Sequence, residues 1–510
     1  MSVDFTLALL SGAGLALCLP RPGLCFLAWF ALAPLFYVWA RSTPARSFAA
    51  GFAAGFAFHG LALYWIYSTC RFALLPVPVA LLAWAALAAF LALHWGLVGL
   101  AGTRLAEPLG PGLRPWAWAA LWTGCLVAWE RWTPRLNIDL LAYTQYRYLS
   151  LLQMGSVFGP HGLGFLIVAV NAALCAVFLA GRRKVRGAGA RLALALALVA
   201  AVWVYGEVEL FHRATAFSLS HGPRARVELL QPDVDQYRKF DERFAGEIRA
   251  DFEELLSRPR SGRPSLIVWP ESSLTFMVDE GGAELPQASA VSRELQAFQV
   301  VGAVSRARGL DYNSALLVGP DGKLRGAYHK RQLVPFGEFV PLPFLKKYIG
   351  ILNQLGGLSP GGRRQGLLEA PLGPAAASVC YEAMFPRLAL LDASRGARTI
   401  VNVTNDGWYK DTWGPYQHFE ANVFRAIENR VTVIRSANTG ISAVIDPWGA
   451  VTARLELGRR GRLDAGVPIE DPFPNRSFYA RHGDWFGLLC LLAAALLAGG
   501  RLLGLPRKIS

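Results

Sequence analysis

Hydrophobic positions along this chain follow two regimes. Over residues 1–211, and again over 485–506, apolar residues run almost unbroken; over 222–470, short apolar runs alternate with polar stretches. A helix crosses the hydrocarbon core of a bilayer with about 20 apolar residues. Eight stretches approach that length: 5–20, 23–40, 48–68, 76–100, 115–129, 161–180, 192–211 and 485–503. None contains Lys, Arg or Asp, apart from Arg501 at the end of the last. They predict a membrane α-helical bundle of about eight transmembrane helices, seven within 1–211 and one within 484–510. The first run begins Met1-Ser2-Val3-Asp4, with no basic segment, and a second apolar run follows at once. This is expected to be a retained helix rather than a cleaved leader.

Between these runs, strand-length apolar segments occur at Ala225–Leu230, Ser265–Trp269, Val300–Val304, Ser314–Val318, Ala376–Cys380, Thr399–Val403, Thr432–Ser436 and Ser442–Ile445. Amphipathic helical patterns cover Phe240–Leu256 and Gln417–Arg430. Strand–helix alternation predicts an α/β domain over 212–483.

Composition agrees with this division. The chain is 53% hydrophobic and 17% charged, against roughly a quarter charged in ordinary soluble domains. The net charge of +15 does not require a nucleic-acid partner, because no nucleic-acid motif accompanies it and much of the excess lies in short connections between apolar runs. With the N-terminus inside, the inner connections and tail hold twelve Lys and Arg residues and the outer ones five. Basic residues concentrate on the cytoplasmic side. Seven crossings then leave 212–483 outside, which in a Gram-negative cell is the periplasmic face of the inner membrane. His59 and His94 fall inside apolar runs and are expected to pack rather than to line a path.

Of seven cysteines, none forms a CxxC pair, and Cys380 is the only one between 212 and 483. A lone thiol is a candidate nucleophile. It ends the run Ala376-Ala377-Ser378-Val379-Cys380 and precedes Tyr381-Glu382, so it stands where a strand stops and backbone N–H groups become free. Glu271 stands likewise after Leu266-Ile267-Val268-Trp269-Pro270, where a carboxylate can act as general base. Lys330, in Tyr328-His329-Lys330-Arg331-Gln332-Leu333-Val334-Pro335-Phe336-Gly337-Glu338, offers a cation for an oxyanion. Taken singly, each also fits a structural role: a buried cysteine, a first-turn acid, a surface lysine.

These pieces in this order resemble the carbon–nitrogen hydrolase (nitrilase) superfamily. Further matching segments are Tyr312-Asn313-Ser314-Ala315, Asn402-Val403-Thr404-Asn405-Asp406-Gly407-Trp408, Gly414-Pro415 with Gln417-His418, and Arg435-Ser436-Ala437-Asn438-Thr439-Gly440-Ile441-Ser442. With seven apolar runs before the domain and one after it, the chain is similar to the apolipoprotein N-acyltransferase family. The resemblance implies an αββα nitrilase-like sandwich and a Glu271–Lys330–Cys380 catalytic set, with Glu338, Tyr381 and Glu382 supporting it. It implies Phe240, Trp408 and Tyr409 on the substrate side, a phospholipid acyl donor, a diacylated apolipoprotein acceptor, and no metal or cofactor. Two departures are visible: Gln231 is followed by Pro232-Asp233 rather than Gly-Asn, and Phe240 stands where the family typically has Trp. The apolar connection Pro341–Gly362 is read as a membrane-facing lid. The rival activities are a membrane-bound nitrilase-like amidase and a non-catalytic receptor or transporter.

Overall fold

The computed structural model describes residues 3–110, 112–133, 137, 140–183, 187–219, 223–239, 241–281, 285–340, 357–469 and 476–502. It divides into two compact units: Met1–Thr215 with Thr412–Glu420 and Ser477–Ser510, and Ala216–Asp411 with Ala421–Arg476.

The first unit is helical. Among the described residues, three stretches are long and apolar enough to cross a membrane: Val77–Leu105, Leu149–Gly181 and Ala188–Thr215. Counting the pair Pro44–Ala62 and Tyr64–Phe72, bent by 46°, as one span makes four. Val3–Ala16, Cys25–Trp39 and Trp485–Arg501 are apolar but shorter. The predicted run 23–40 divides because Pro34 starts a new helix, Ala33–Trp39, after a 3-10 turn at Cys25–Trp29. Proline has no N–H to continue the preceding helix and suits a first turn. The run 192–211 extends instead into a longer helix, Ala188–Leu219.

Helices in this unit approach closely through small residues. A Cβ on Gly12 would fall 1.9 Å from the Ala54 carbonyl oxygen, so only glycine lets these two backbones meet. Trp39 stacks on Trp118 at 4.9 Å, and Trp95 meets Trp122 edge-on at the same separation. His59 bonds the Gly55 carbonyl oxygen at 2.7 Å and His94 lies edge-on to Trp122. Where the helix bends after Ala62, Gln417 Nε2 donates to the Ala62 carbonyl at 3.1 Å, and Gln417 Oε1 accepts from Trp65 Nε1 at 3.1 Å. Side chains entering the backbone ladder are a common cause of such bends.

The second unit is built on two sheets. In chain order its strands are β1 (Arg224–Gln231), β2 (Leu266–Val268), β3 (Val278–Asp279), β4 (Phe298–Ala307), β5 (Leu310–Val318), β6 (Leu324–His329), β7 (Leu368–Ala370), β8 (Gly373–Val379), β9 (Thr399–Thr404), β10 (Thr432–Ala437), β11 (Ser442–Ile445), β12 (Val451–Leu455) and β13 (Gly461–Pro468). One sheet runs β13-β1-β2-β4-β5-β6 with β3 beside β4; the other runs β12-β11-β10-β9-β8-β7. Each has a parallel centre (β1-β2-β4 and β8-β9-β10) and antiparallel flanks. β1 meets β10, β4 meets β9 and β5 meets β8 across the interface between the sheets, where the Ser436 hydroxyl donates to the Leu230 and Val268 carbonyls.

Helices cover the outer faces. Ile248, Phe252 and Leu255 of Ala245–Ser257 pack with Leu230, Ile267, Trp269 and Val301 of the first sheet. Pro386–Ala393 packs on β8 of the second. The layering is helix, sheet, sheet, helix, as the resemblance implied. All eight expected strands form. The pattern did not predict β3, β6, β7, β12 or β13, which are short, at the edges of the sheets or rich in polar residues.

Candidate active site

Parallel strands leave free backbone groups at their carboxyl ends, and sites in open α/β sheets collect there. β2 delivers Trp269-Pro270-Glu271, β8 delivers Cys380, and β9 delivers Thr404 and then Asp406. Lys330 follows directly on β6, and its N–H donates to the Asn313 carbonyl of β5 at 2.8 Å. Glu271, Lys330 and Cys380 are all buried, at 8%, 1% and 6% exposed.

The centre is a lysine between two carboxylates. Lys330 Nζ lies 2.8 Å from Glu338 Oε1 and 3.7 Å from Glu271 Oε1. Asn313 Nδ2 donates to the same two oxygens, at 2.8 Å to Glu338 and 2.7 Å to Glu271. Glu338 is anchored in turn by the Val334 N–H at 2.8 Å. Burial alone would lower the pKa of the Lys330 ammonium, but Glu338, Glu271 and the charge available to Cys380 hold it well above an ordinary lysine. Lys330 is therefore a cation at neutral pH.

Glu271 is held on its main chain as well. Lys239 Nζ donates to its carbonyl oxygen at 2.6 Å. A Cβ on Gly302 of β4 would stand 2.2 Å from the Pro270 carbonyl oxygen and 2.7 Å from the Glu271 Cα, so the missing side chain lets the Pro270–Glu271 turn sit against the sheet.

Cys380 opens a 3-10 turn, Cys380–Met384, with φ of +52°. A left-handed backbone is costly for a residue with a Cβ, and such strain gathers at functional positions. Two neighbours hold the turn. Asn402 Nδ2 reaches the Cys380 carbonyl at 3.5 Å. Glu382, itself buried, accepts from the Val379 N–H at 2.8 Å, the Arg331 N–H at 2.7 Å, the Gln332 N–H at 3.1 Å and the Tyr328 hydroxyl at 2.9 Å. That one carboxylate thus ties the lysine loop to the cysteine turn. Burial pushes the Cys380 thiol up to about 12, with Glu271 and Asp406 adding to the rise and Lys330 and Thr404 opposing it. At neutral pH the resting sulfur is a thiol.

The other expected residues fall in different places. Tyr381 packs edge-on to Phe385, and burial raises its phenol. Burial, and then the nearness of Cys380, Asp406 and Glu271, push the Tyr409 phenol well above the usual value. Trp408, in the same turn, is exposed (38%). Phe240 and residues 341–356 of the expected lid lie outside the described residues. Gln231 has a structural role: its side chain bonds the Glu456 and Arg459 carbonyls and Ser442.

The sequence reading assigns no role to Asn313, to Lys239 or to the buried Asp406–Arg435 pair, 2.7 Å apart, although Asp406 and Arg435 also stand in matching segments. Asn313 lay within a matching motif; a single lysine four residues beyond Asp235 carries no pattern. Among the described residues, no group of three or more His, Cys, Asp or Glu side chains could share a metal ion.

Comparison with known proteins matches the chain to two family models. Residues 247–471 match "Carbon-nitrogen hydrolase" and residues 11–173 match "Apolipoprotein N-acyltransferase N-terminal domain". An apolipoprotein N-acyltransferase of Geobacter metallireducens is 35% identical, with 97% of this chain and 94% of that protein covered. One of Brucella melitensis is 32% identical, over 89% and 85%. A solved structure, Saccharomyces cerevisiae Nit3 of the nitrilase superfamily, is 21% identical with a TM-score of 0.35, over 49% of this chain and 91% of that one.

Proposed function

This chain belongs to the apolipoprotein N-acyltransferase family, and from that premise we propose how its residues carry out the acylation. The enzyme is an acyltransferase of the carbon–nitrogen hydrolase superfamily and acts in lipoprotein N-acylation.

In our reading, Glu271 takes the Cys380 proton as the sulfur attacks the ester carbonyl of a phospholipid acyl chain. Lys330 and the Tyr381 N–H stabilise the oxyanion. The tetrahedral intermediate collapses with breakage of the C–O bond. Glu271 returns the proton to the departing oxygen, a lysophospholipid leaves, and a thioester remains on Cys380. The α-amino group of a diacylglyceryl-cysteine N-terminus then attacks. A free α-amine has a pKa of about 7.7–8.0, so part of it is already neutral near pH 7. Its surplus proton passes through Glu271 to the leaving sulfur, and an amide forms. Glu338 and Glu382 orient Lys330 and the cysteine turn, and Phe240, Trp408 and Tyr409 face the substrates.

The observation that carries this reading is the buried Lys330 held between Glu271 and Glu338. A lysine charged at neutral pH beside a base and a protonated thiol suits acyl transfer. In the same reading about eight helices embed the chain in the inner membrane, with 212–483 as the periplasmic catalytic domain between the helices of 1–211 and 484–510.

The test incubates the purified protein with phospholipid, a diacylglyceryl-cysteine peptide and a small aliphatic amide, and measures N-acyl peptide and ammonia. N-acyl peptide with no ammonia is expected. Ammonia released from small amides without acyl transfer would favour the amidase and sink the proposal.

A further inference from the structure

Lys239 has no part in the reaction as written, yet it is buried beside the residues that do. It ends the four-residue helix Gln236–Lys239 and is 7% exposed. Its ammonium donates to the Glu271 carbonyl at 2.6 Å; among the described residues this is its one hydrogen bond. The space around it is lined by apolar Val234, Ile248 and Phe252 and by polar Ser272, Ser273, Thr275 and Asn438. Burying an ammonium against a single neutral acceptor is costly unless nearby negative charge compensates. Burial lowers the Lys239 pKa to about 8, opposed by Glu271 and, once its sulfur is ionised, by Cys380.

Charge counting gives the lysine a purpose. Two carboxylates, Glu271 and Glu338, lie within 4 Å of the Lys330 ammonium, while Asp406 and Glu382 face arginines of their own, Arg435 and Arg331. That set carries one negative charge before the thiol reacts. A second ammonium brings it to neutrality, so that negative charge developing on sulfur is not added to a pocket already negative. The contact with the Glu271 main chain also fixes the turn from which the carboxylate projects.

We propose that Lys239 is a positioning residue of this site: its ammonium holds the Glu271 main chain in place and supplies the second positive charge that favours ionisation of Cys380. The proposal rests on the Glu271–Lys330–Cys380 reading above.

The test uses the full-length protein purified in detergent. Lys239→Met keeps the length of the side chain and removes its charge; Lys239→Arg keeps the charge. Two quantities are read: the rate of Cys380 alkylation by iodoacetamide at pH 8, from the mass of the peptide carrying Cys380, and kcat and KM for transfer to a diacylglyceryl peptide. In Lys239→Met, loss of one nearby cation is expected to slow alkylation about tenfold and to lower kcat by about tenfold or more, with KM changed less than about twofold. Lys239→Arg is expected to recover part of both. Alkylation and kcat within twofold of the unmodified protein in Lys239→Met would overturn the proposal, and so would a kcat loss with unaltered alkylation. If Lys239→Met does not fold, Lys239→Gln is measured in its place against the same limits. Glu271→Gln and Lys330→Met are run alongside. Wild-type transfer in those two would sink the underlying reading; normal behaviour in the Lys239 variants alone sinks only this proposal.

Discussion

Cys380→Ser is expected to remove acyl transfer almost completely, by roughly 10⁴-fold or more, as loss of a covalent nucleophile does in enzymes that act through an acyl intermediate. The hydroxyl is close in size to the thiol, so the turn at Cys380 and its bonds through Glu382 and Asn402 should survive. The chemistry should not. Even the cysteine thiol, at about 12, is held protonated by burial and by Glu271, and an alcohol is a far weaker acid. With Glu271 as the sole base, a serine oxygen would not be ionised as it attacks, and an oxygen ester would be less reactive toward an amine than a thioester. The measurement is N-acyl peptide formed per hour by the purified variant, alongside its thermal melt. A variant that folds like the unmodified protein and still transfers within tenfold would remove Cys380 from the mechanism.

Lys330→Met should be damaging in two ways at once. The ammonium lies 2.8 Å from Glu338 and 3.7 Å from Glu271, and Asn313 bridges the same two carboxylates. Removing the one charged partner of a buried network costs about 3–5 kcal/mol of stability, because like charges then face each other with no cation between them. Loss of an oxyanion-stabilising group costs a further roughly 10²–10³-fold in rate. The expected variant melts several degrees lower and transfers at less than about 1% of the unmodified rate. Glu338→Gln keeps an acceptor for Lys330 and should lose less on both counts. A Lys330→Met protein of unchanged stability would contradict the charge network described here, and one of unchanged rate would contradict the role of Lys330.

How much could be read in advance depended on how local each signal is. Glu271 and Cys380 stand at the ends of apolar strands, and an apolar run that stops at a polar, reactive residue is visible in any sequence. Lys330 was visible only through its long motif, since a lysine after a strand has no pattern of its own. Lys239 was not visible. Its meaning comes from a contact with Glu271, 32 residues away, made by one turn of helix that is too short to show a period. β13 pairs with β1 over the whole register from Arg224–Pro468 to Gln231–Gly461, a pairing across the length of the domain that no short window contains. In the helical unit, hydropathy located the apolar runs but not their breaks. Pro34 divides one run, and the bend after Ala62 is accompanied by Gln417, which lies hundreds of residues further along. Asn313 illustrates a different limit: it stands within a matching segment, but only the fold shows that its amide joins Glu271 to Glu338.

The central claim is that one thiol carries the acyl group between donor and acceptor. It is tested most directly by incubating the purified protein with phospholipid alone and measuring the mass of the peptide that contains Cys380. The account predicts an increase equal to one fatty acyl group, absent in Cys380→Ser and discharged when a diacylglyceryl-cysteine peptide is added. An enzyme that transfers acyl chains with no such adduct at any time during turnover, or with the adduct on a different residue, would contradict it.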